Sequence, residues 1–352
     1  MDHFIGLDAH KNSCTFVVLG SKGQAKRKEV VETNGRALVE FVKRIPGRRH
    51  LCTEENSQSQ WLYEILSPHV DDLAIVLGRK SRGDKSDDRD AHALANRMRL
   101  GDLEQRIYKL PVLFTTLRDL VRSYQTINKD LVRVKNRIHA LYRSRGVPTQ
   151  EAGCPFCAQD APHAGGCRNP GLHRFIERLR RQQESLEALK VEAQKDMIAE
   201  AKRHAIMRIL QTAPGFGPIR SAELLSIVIT PYRFRTSRQF WSYCGLAIVQ
   251  RSSADWVRLP NGKWVRASVY QSRGLNRNFN RAAKTIFKGA AMTVEKSSRH
   301  PLRADYDRLL ANGTKPNLAR LTLARKIAAI VLSMWKNQQA YEPGRRSDVK
   351  NK

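Results

Sequence analysis

Hydrophobic and polar positions alternate at the start of the chain. Residues 3–9 and 14–20 are short runs rich in Phe, Ile, Leu and Val, separated by the polar His10-Lys11-Asn12-Ser13, which predicts a β-hairpin. A third strand is expected over Lys26–Glu32. After Asn34-Gly35 the period becomes helical, with Leu38, Val39 and Val42 on one face. His50–Glu54 reads as a strand, Gln58–Ser67 as a helix, Leu73–Leu77 as a strand, and a further helix begins near Asp87. The order β-β-β-α-β-α-β, closed by that helix, predicts a mixed sheet flanked by helices.

From about Pro111 to Arg145 the pattern changes. Leu113, Leu117, Leu120, Val121, Tyr124, Ile127, Leu131, Val134, Ile138 and Leu141 recur at spacings of three and four, the signature of a long amphipathic helix. A second long helix is expected from Leu172 to about Leu210. Between them lies a Gly/Pro/Cys-rich segment, residues 146–171. Two long helices joined in this way predict an antiparallel coiled-coil arm or dimerisation element. Lys315 to Trp335 reads as a closing helix, and the tail after Tyr341 is polar.

Charge changes the picture most. The chain carries 63 Lys+Arg against 33 Asp+Glu, a net +30. Residues 1–100 hold 17 basic and 14 acidic side chains, while the remaining 252 residues hold 46 and 19. A near-neutral head on a strongly basic body points to a carboxylate-bearing domain joined to one that binds a polyanion, and so to nucleic acid. The longest uncharged apolar stretch, between Lys326 and Lys336, is too short to span a bilayer, and no secretory signal is visible at the N-terminus. A cytoplasmic protein with no membrane partner is expected.

The head contains an ordered set of acids. Asp8 closes the first predicted strand, and Glu54, with Glu55 beside it, closes a later one. Asp87 and Asp90 sit three residues apart in Lys85-Ser86-Asp87-Asp88-Arg89-Asp90-Ala91 and share a helix face, while Asp88 points elsewhere. If the fold gathers these groups, they repel one another unless divalent cations neutralise them, and hard oxygen donors suit Mg²⁺ or Mn²⁺. Cations so held can clamp the attacking and leaving oxygens of a phosphodiester. Taken singly, acids at a helix start are ordinary first-turn residues.

Three of these stretches resemble a known family. Ile5-Gly6-Leu7-Asp8-Ala9-His10-Lys11 is similar to the opening of the DEDD insertion-sequence transposases (the IS-one-ten type, relatives of the Piv invertases). Thr53-Glu54-Glu55-Asn56-Ser57 followed by Gln60-Trp61-Leu62-Tyr63 resembles their second acidic block, and Lys85 to Ala91 their third. The resemblance implies an α/β RuvC-like (RNase-H-like) nuclease domain whose metal-binding set is Asp8, Glu54, Asp87 and Asp90. The spacing to the following block favours Glu54 over Glu55.

The basic body adds its own motifs. Leu210 to Ala222, with Pro214-Gly215-Phe216-Gly217 at its centre, has the form of a helix-hairpin-helix, whose backbone N–H groups can face a phosphate. Gly215, Gly217 and Arg220 are its candidate contacts. Gly245-Leu246 is followed by Arg251-Ser252-Ser253-Ala254. In the resembled family a Gly-Leu segment precedes Ser-Ser-Gly, whose serine is a nucleophile, so the resemblance implies Ser253 in that role with Ser252 as its neighbour. Here Ala254 stands where the family carries glycine. A serine hydroxyl can attack a phosphodiester and conserve the bond energy for rejoining. Arg251, Arg266, Arg273, Arg277, Arg281 and Lys284, joined by Lys288, alternate with Tyr270, Phe279, Phe287 and the amides of Asn276, Asn278 and Asn280. Such a mixture suits phosphate neutralisation with base stacking, or else a basic helix face over an aromatic core.

Cys154, Cys157, His163 and Cys167 resemble a small zinc knuckle in residue types but not in spacing. Cytoplasmic thiols favour Zn²⁺ over a disulfide, and a metal-free Cys-rich insertion is the alternative. The expected organisation is therefore a RuvC-like domain at 1–105, a helical coiled-coil arm at 106–204 carrying the insertion, a mostly α domain with the helix-hairpin-helix and Ser253 at 205–341, and a tail at 342–352. The expected activity is that of an insertion-sequence transposase or recombinase acting on donor and target DNA. The resemblance further implies guidance by a bridge RNA. Because both strands of two duplexes must be treated, a homodimer or homotetramer is expected, and the acids and Ser253 can come from different subunits. A junction-resolving nuclease that hydrolyses with metal alone is the alternative. A sugar-kinase-like ATPase would need a glycine-rich turn after Asp8, where Ala9-His10-Lys11 stands instead.

Overall fold

The computed structural model describes residues 1–78, 86–103, 106–109, 114–145, 170–251, 256–266 and 271–343. The chain forms two compact units, Met1–Thr115 and Thr116–Lys352.

The first unit is built on one five-stranded sheet. Its elements are β1 (Asp2–Ala9), β2 (Ser13–Gly20), β3 (Ala25–Glu32), α1 (Gly35–Lys43), β4 (Arg48–Glu54), α2 (Ser59–Leu66), β5 (Asp72–Val76) and α3 (Asp87–Leu100). The strand order is β3-β2-β1-β4-β5. β1, β2 and β3 form an antiparallel meander, whereas β4 and β5 run parallel to β1. The mixed sheet expected from the sequence is thus present, and its boundaries fall within two residues of those read from alternation.

Alternation also decides which helix covers which face, because successive strand residues point to opposite sides. Ile5 and Leu7 of β1, Phe16 and Val18 of β2 and Leu51 of β4 form one core with Leu38 and Phe41 of α1 and Leu62 and Leu66 of α2. On the other face, Cys52, Ala74 and Val76 pack with Leu94 and Met98 of α3, and Val17 and Leu19 with Ala91 and Ala95. The N-cap of α1 is Asn34, whose side chain accepts from the N–H of Arg36. Gly101, at φ 71°, ends α3 in the left-handed region that glycine tolerates. Edge strand β3 carries Lys26, Arg27 and Lys28, charges that discourage edge-to-edge pairing.

The second unit is mainly helical. Its elements are α4 (Thr115–Arg143), α5 (Pro170–Lys202), α6 (Ile206–Gln211), α7 (Pro218–Val228), α8 (Ser237–Tyr243), β6 (Ile248–Arg251), β7 (Trp256–Arg258), β8 (Trp264–Arg266), β9 (Gln271–Leu275), α9 (Arg281–Lys296), α10 (Arg303–Ala311) and α11 (Pro316–Asn337). Val134 and Ile138 of α4 pack on Leu179 of α5, and Lys135 pairs with Glu187 at 2.8 Å while Arg180 donates to the Tyr142 hydroxyl at 2.8 Å. As position advances along α4 its partner on α5 recedes, so these two helices run antiparallel. The second long helix stops at Lys202, and Leu210 belongs to the separate α6. The core of the unit gathers Phe216, Phe240 and Phe287, and Ala290 and Ala291 of α9 with Ala324 and Ala328 of α11 are fully buried, small enough for helices to approach closely. β6 pairs with β9 and β7 with β8, each antiparallel. Those two small sheets are absent from the sequence-based reading.

Candidate active site

Asp8 and Glu54 are placed by register. The last ladder pair joining parallel β1 and β4 is Leu7 with Thr53, so Asp8 and Glu54 are the next residues on neighbouring strands. Gly6 and Asp8 share one face of β1, and Cys52 and Glu54 the same face of β4, which is the face covered by α3.

Gly6 brings α3 in. A Cβ built there would lie 1.8 Å from the carbonyl oxygen of Ala91 and 2.6 Å from the amide nitrogen of Ala95. Only a residue without a side chain lets the helix sit this close to the sheet. The approach sets the first turn of α3, bearing Asp87, Asp88 and Asp90, beside the end of β1.

The acids divide into those that face one another and those engaged elsewhere. Nε2 of His10 lies 3.2 Å from Oδ2 of Asp8 and 3.3 Å from Oδ1 of Asp87, and the three side chains offer donor atoms all within 4.8 Å of one another. Burial raises the Asp8 carboxyl above its ordinary value, the charges of Asp87 and Asp90 raise it further, and His10 opposes them. Asp88 instead forms an ion pair with Lys28 of β3. Glu55 pairs with the buried Lys109 and accepts from the Ser59 hydroxyl at 2.9 Å. Gly78, just past β5, lies against Glu54: a Cβ there would meet Oε2 at 2.8 Å.

The donor chemistry of the site suits a cation. Carboxylates whose mutual repulsion already raises Asp8 are hard donors short of positive charge, and a divalent ion such as Mg²⁺ supplies it. Asp8, His10 and Asp87 offer donor atoms that fit such an ion. Sequence reading treated His10 as a turn residue; its place two positions beyond a strand-closing Asp was the available signal.

Of the other predicted residues, Gly215 has φ 73°, and a Cβ would lie 2.3 Å from the Ala290 carbonyl oxygen of α9. Its own carbonyl accepts from Arg220 at 2.6 Å, and Arg220 also donates to Thr293 at 3.0 Å. Gly217 is the N-cap of α7 and has open space around it. Arg251 and Arg266 fall in β6 and β8 and Arg273 in β9, whereas Arg281 and Lys284 lie on α9. Lys284 sits 4.3 Å from the centre of the Phe279 ring. Phe287 is fully buried, and the three asparagines hold the turn before α9: Asn276 donates to Ser242, Asn278 donates its N–H to Asn276, and Asn280 caps α9. Ser252, Ser253, Tyr270 and the set Cys154, Cys157, His163 and Cys167 lie outside the described residues. Among the described residues, no helix is long and apolar enough to cross a membrane.

Two family models match successive parts of the chain. A DEDD transposase model of the IS110 type matches residues 5–144 and a model described as "Transposase IS116/IS110/IS902 family" matches residues 207–307, together about two thirds of the chain. The chain is also 23% identical to the insertion element IS116 uncharacterized 44.8 kDa protein of Streptomyces clavuligerus, over 97% of this chain and 96% of that protein. The first match spans Asp8, Glu54, Asp87 and Asp90, and the second spans the Pro-Gly-Phe-Gly turn and Ser253. The chain belongs to the IS110-type transposases, enzymes that cut and rejoin DNA.

Proposed function

We propose that this transposase cuts DNA by attack of the Ser253 hydroxyl on a scissile phosphodiester, with Asp8, Glu54, Asp87 and Asp90 as the cation-binding set. The observation that carries the reading is the meeting of strand-end and helix-start acids on one side of the sheet, with Asp8 and Asp87 bridged by His10. Mg²⁺ or Mn²⁺ held there would withdraw charge from the phosphate as it is attacked. Strand register, which sets Asp8 and Glu54 side by side, and the seat of α3, which bears Asp87 and Asp90, support this reading. The serine oxygen forms a bond to phosphorus as its proton departs, and the bond to one deoxyribose oxygen breaks, that oxygen taking up a proton. The serine ester that remains keeps the bond energy for rejoining.

Around this centre, the helix-hairpin-helix at Gly215 and Gly217 and the basic residues Arg220, Arg251, Arg266, Arg273, Arg277, Arg281 and Lys284 hold the nucleic-acid backbone. A bridge RNA pairs with donor and target DNA, and the antiparallel α4 and α5 mediate assembly into a dimer or tetramer. Purified protein without co-purifying RNA transcribed beside its gene would remove the guide from this account. Zinc at Cys154, Cys157, His163 and Cys167 is a separate proposal that elemental analysis decides.

Covalent trapping tests the mechanism. Protein, RNA, labelled DNA and Mg²⁺ are incubated and denatured, and a DNA-linked protein band is expected that is lost in Ser253→Ala and in Asp90→Ala. Cleavage without an adduct would instead establish a hydrolytic RuvC-like nuclease and remove Ser253 from the reaction.

A further inference from the structure

The β7–β8 hairpin repeats one tripeptide, Trp-Val-Arg, on both strands. Antiparallel register sets Trp256 opposite Arg266, Val257 opposite Val265 and Arg258 opposite Trp264. Residues two apart on a strand, and residues directly opposite, share a face, so Trp256, Arg258 and Trp264 stand on one side of the ribbon. The turn is set by Gly262 at φ 81°, with Asn261 accepting from the Lys263 N–H at 3.1 Å.

Both tryptophans are open to solvent, Trp256 to 59% and Trp264 to 60%. Trp is the side chain with most to gain from burial, so two exposed on one small ribbon mark a surface that meets something. Charge says what. Between Asp255 and Glu295 the chain has no carboxylate, and it carries Arg258, Lys263, Arg266, Arg273, Arg277, Arg281, Lys284 and Lys288. Flat aromatic faces in so cation-rich a stretch of chain suit nucleic acid whose bases are unpaired: the rings stack on bases and the cations meet the phosphates. A protein partner with an apolar face would gain nothing from eight cations without a counter-charge.

We propose that the β7–β8 ribbon is a stacking platform for unpaired bases, with Trp256 and Trp264 as the stacking faces and Arg258 and Lys263 beside them for the phosphates. The proposal rests on the chain being a DNA transposase and is independent of the acidic site and of Ser253. Single-stranded DNA exposed during strand exchange and single-stranded RNA offer the same chemistry, and binding measurements separate them.

The full-length chain, without divalent cation so that nothing is cleaved, is titrated into labelled single-stranded DNA, single-stranded RNA and duplex DNA of mixed sequence. Trp256→Ala/Trp264→Ala is compared with Trp256→Phe/Trp264→Phe. The alanine pair is expected to weaken binding to one or both single strands about ten-fold or more, with the phenylalanine pair restoring most of it and duplex binding unmoved. Which single strand responds identifies the ligand. Intrinsic tryptophan fluorescence, quenched by that probe in the parent and not in the phenylalanine pair, checks the contact without any loss of fold. Equal affinity of all variants for every probe, a loss confined to duplex DNA, or loss of self-association with probe binding intact would each overturn the proposal, the last by assigning the ribbon to a contact between copies.

Discussion

Asp8 is 20% exposed, whereas its neighbour across the cluster, Asp87, is 62% exposed. Burial is the main reason that ionising Asp8 is costly, and the nearby Asp87 and Asp90 add repulsion to it. The sign follows. Because its value in the fold is raised, the protonated form is favoured at low pH, and the ionised form burdens the cation-free protein as pH rises through that raised value. A divalent ion that binds only the ionised form reverses this. The rise in melting temperature caused by Mg²⁺ should therefore shrink as pH falls, beginning above the ordinary carboxylate range. In Asp8→Asn the cation-free protein should melt higher than the parent at neutral pH, and Mg²⁺ should no longer raise it. An undiminished Mg²⁺ response in that variant would show that the cation sits elsewhere. Gly78 could not be singled out from the sequence as part of this site, and His10 only by its place two positions beyond Asp8. His10 reaches Asp87 only because α3 folds back across β1, and the contact of Gly78 with Glu54 joins the segment just past β5 to the end of β4.

At the scale of elements, the seat of α3 is the most demanding contact in the first unit. Gly6→Ala drives a methyl group into the backbone of α3, which cannot yield without moving the whole helix. The substitution should cost about 3 kcal/mol or more in denaturant unfolding. It should also abolish strand exchange in whatever fraction stays folded, because Asp87 and Asp90 recede from Asp8. Wild-type stability would mean that α3 docks otherwise. The strands of this unit were legible because their apolar residues alternate and their turns are polar. The close approach was not, since Ile-Gly-Leu-Asp reads equally well with open space above the glycine. In the second unit the strands β6 to β9 are not legible in the sequence because three to five residues are too few to show alternation. Phe287 stands among aromatics that suit either base stacking or a core beneath a basic helix face; it follows Ala283 by four residues and precedes Ala290, Ala291 and Val294, the spacing of a buried helical stripe. Its role was readable from that spacing. Ser253 and the Cys/His set belong to segments on which the structure gives no geometry, so their roles stand on the sequence.

The molecule as a whole separates its charges between head and body. Most of the +30 lies beyond residue 100, so binding of nucleic acid should be dominated by release of counterions from phosphates. Affinity for duplex DNA should fall about a thousand-fold between roughly 50 and 200 mM salt, linearly in logarithms. A slope near −1 would mean that few of these side chains touch phosphate. Alanine at Trp256 and Trp264 should leave this slope unchanged, because stacking releases no ions.

The order in which the acids occur along the chain bears on how the enzyme is made. β1 to β3 form a local meander that can pair as soon as it leaves the ribosome, and it contains Asp8 alone. Glu54 joins it only when β4 slots in alongside β1, and the remaining aspartates only when α3, ending at Leu100, closes over Gly6. On the proposed mechanism, a chain that stops short of that helix holds Asp8 and Glu54 without Asp87 and Asp90. The proposed cation-binding set is therefore assembled only once synthesis has passed α3, and its nucleophile, Ser253, follows later still.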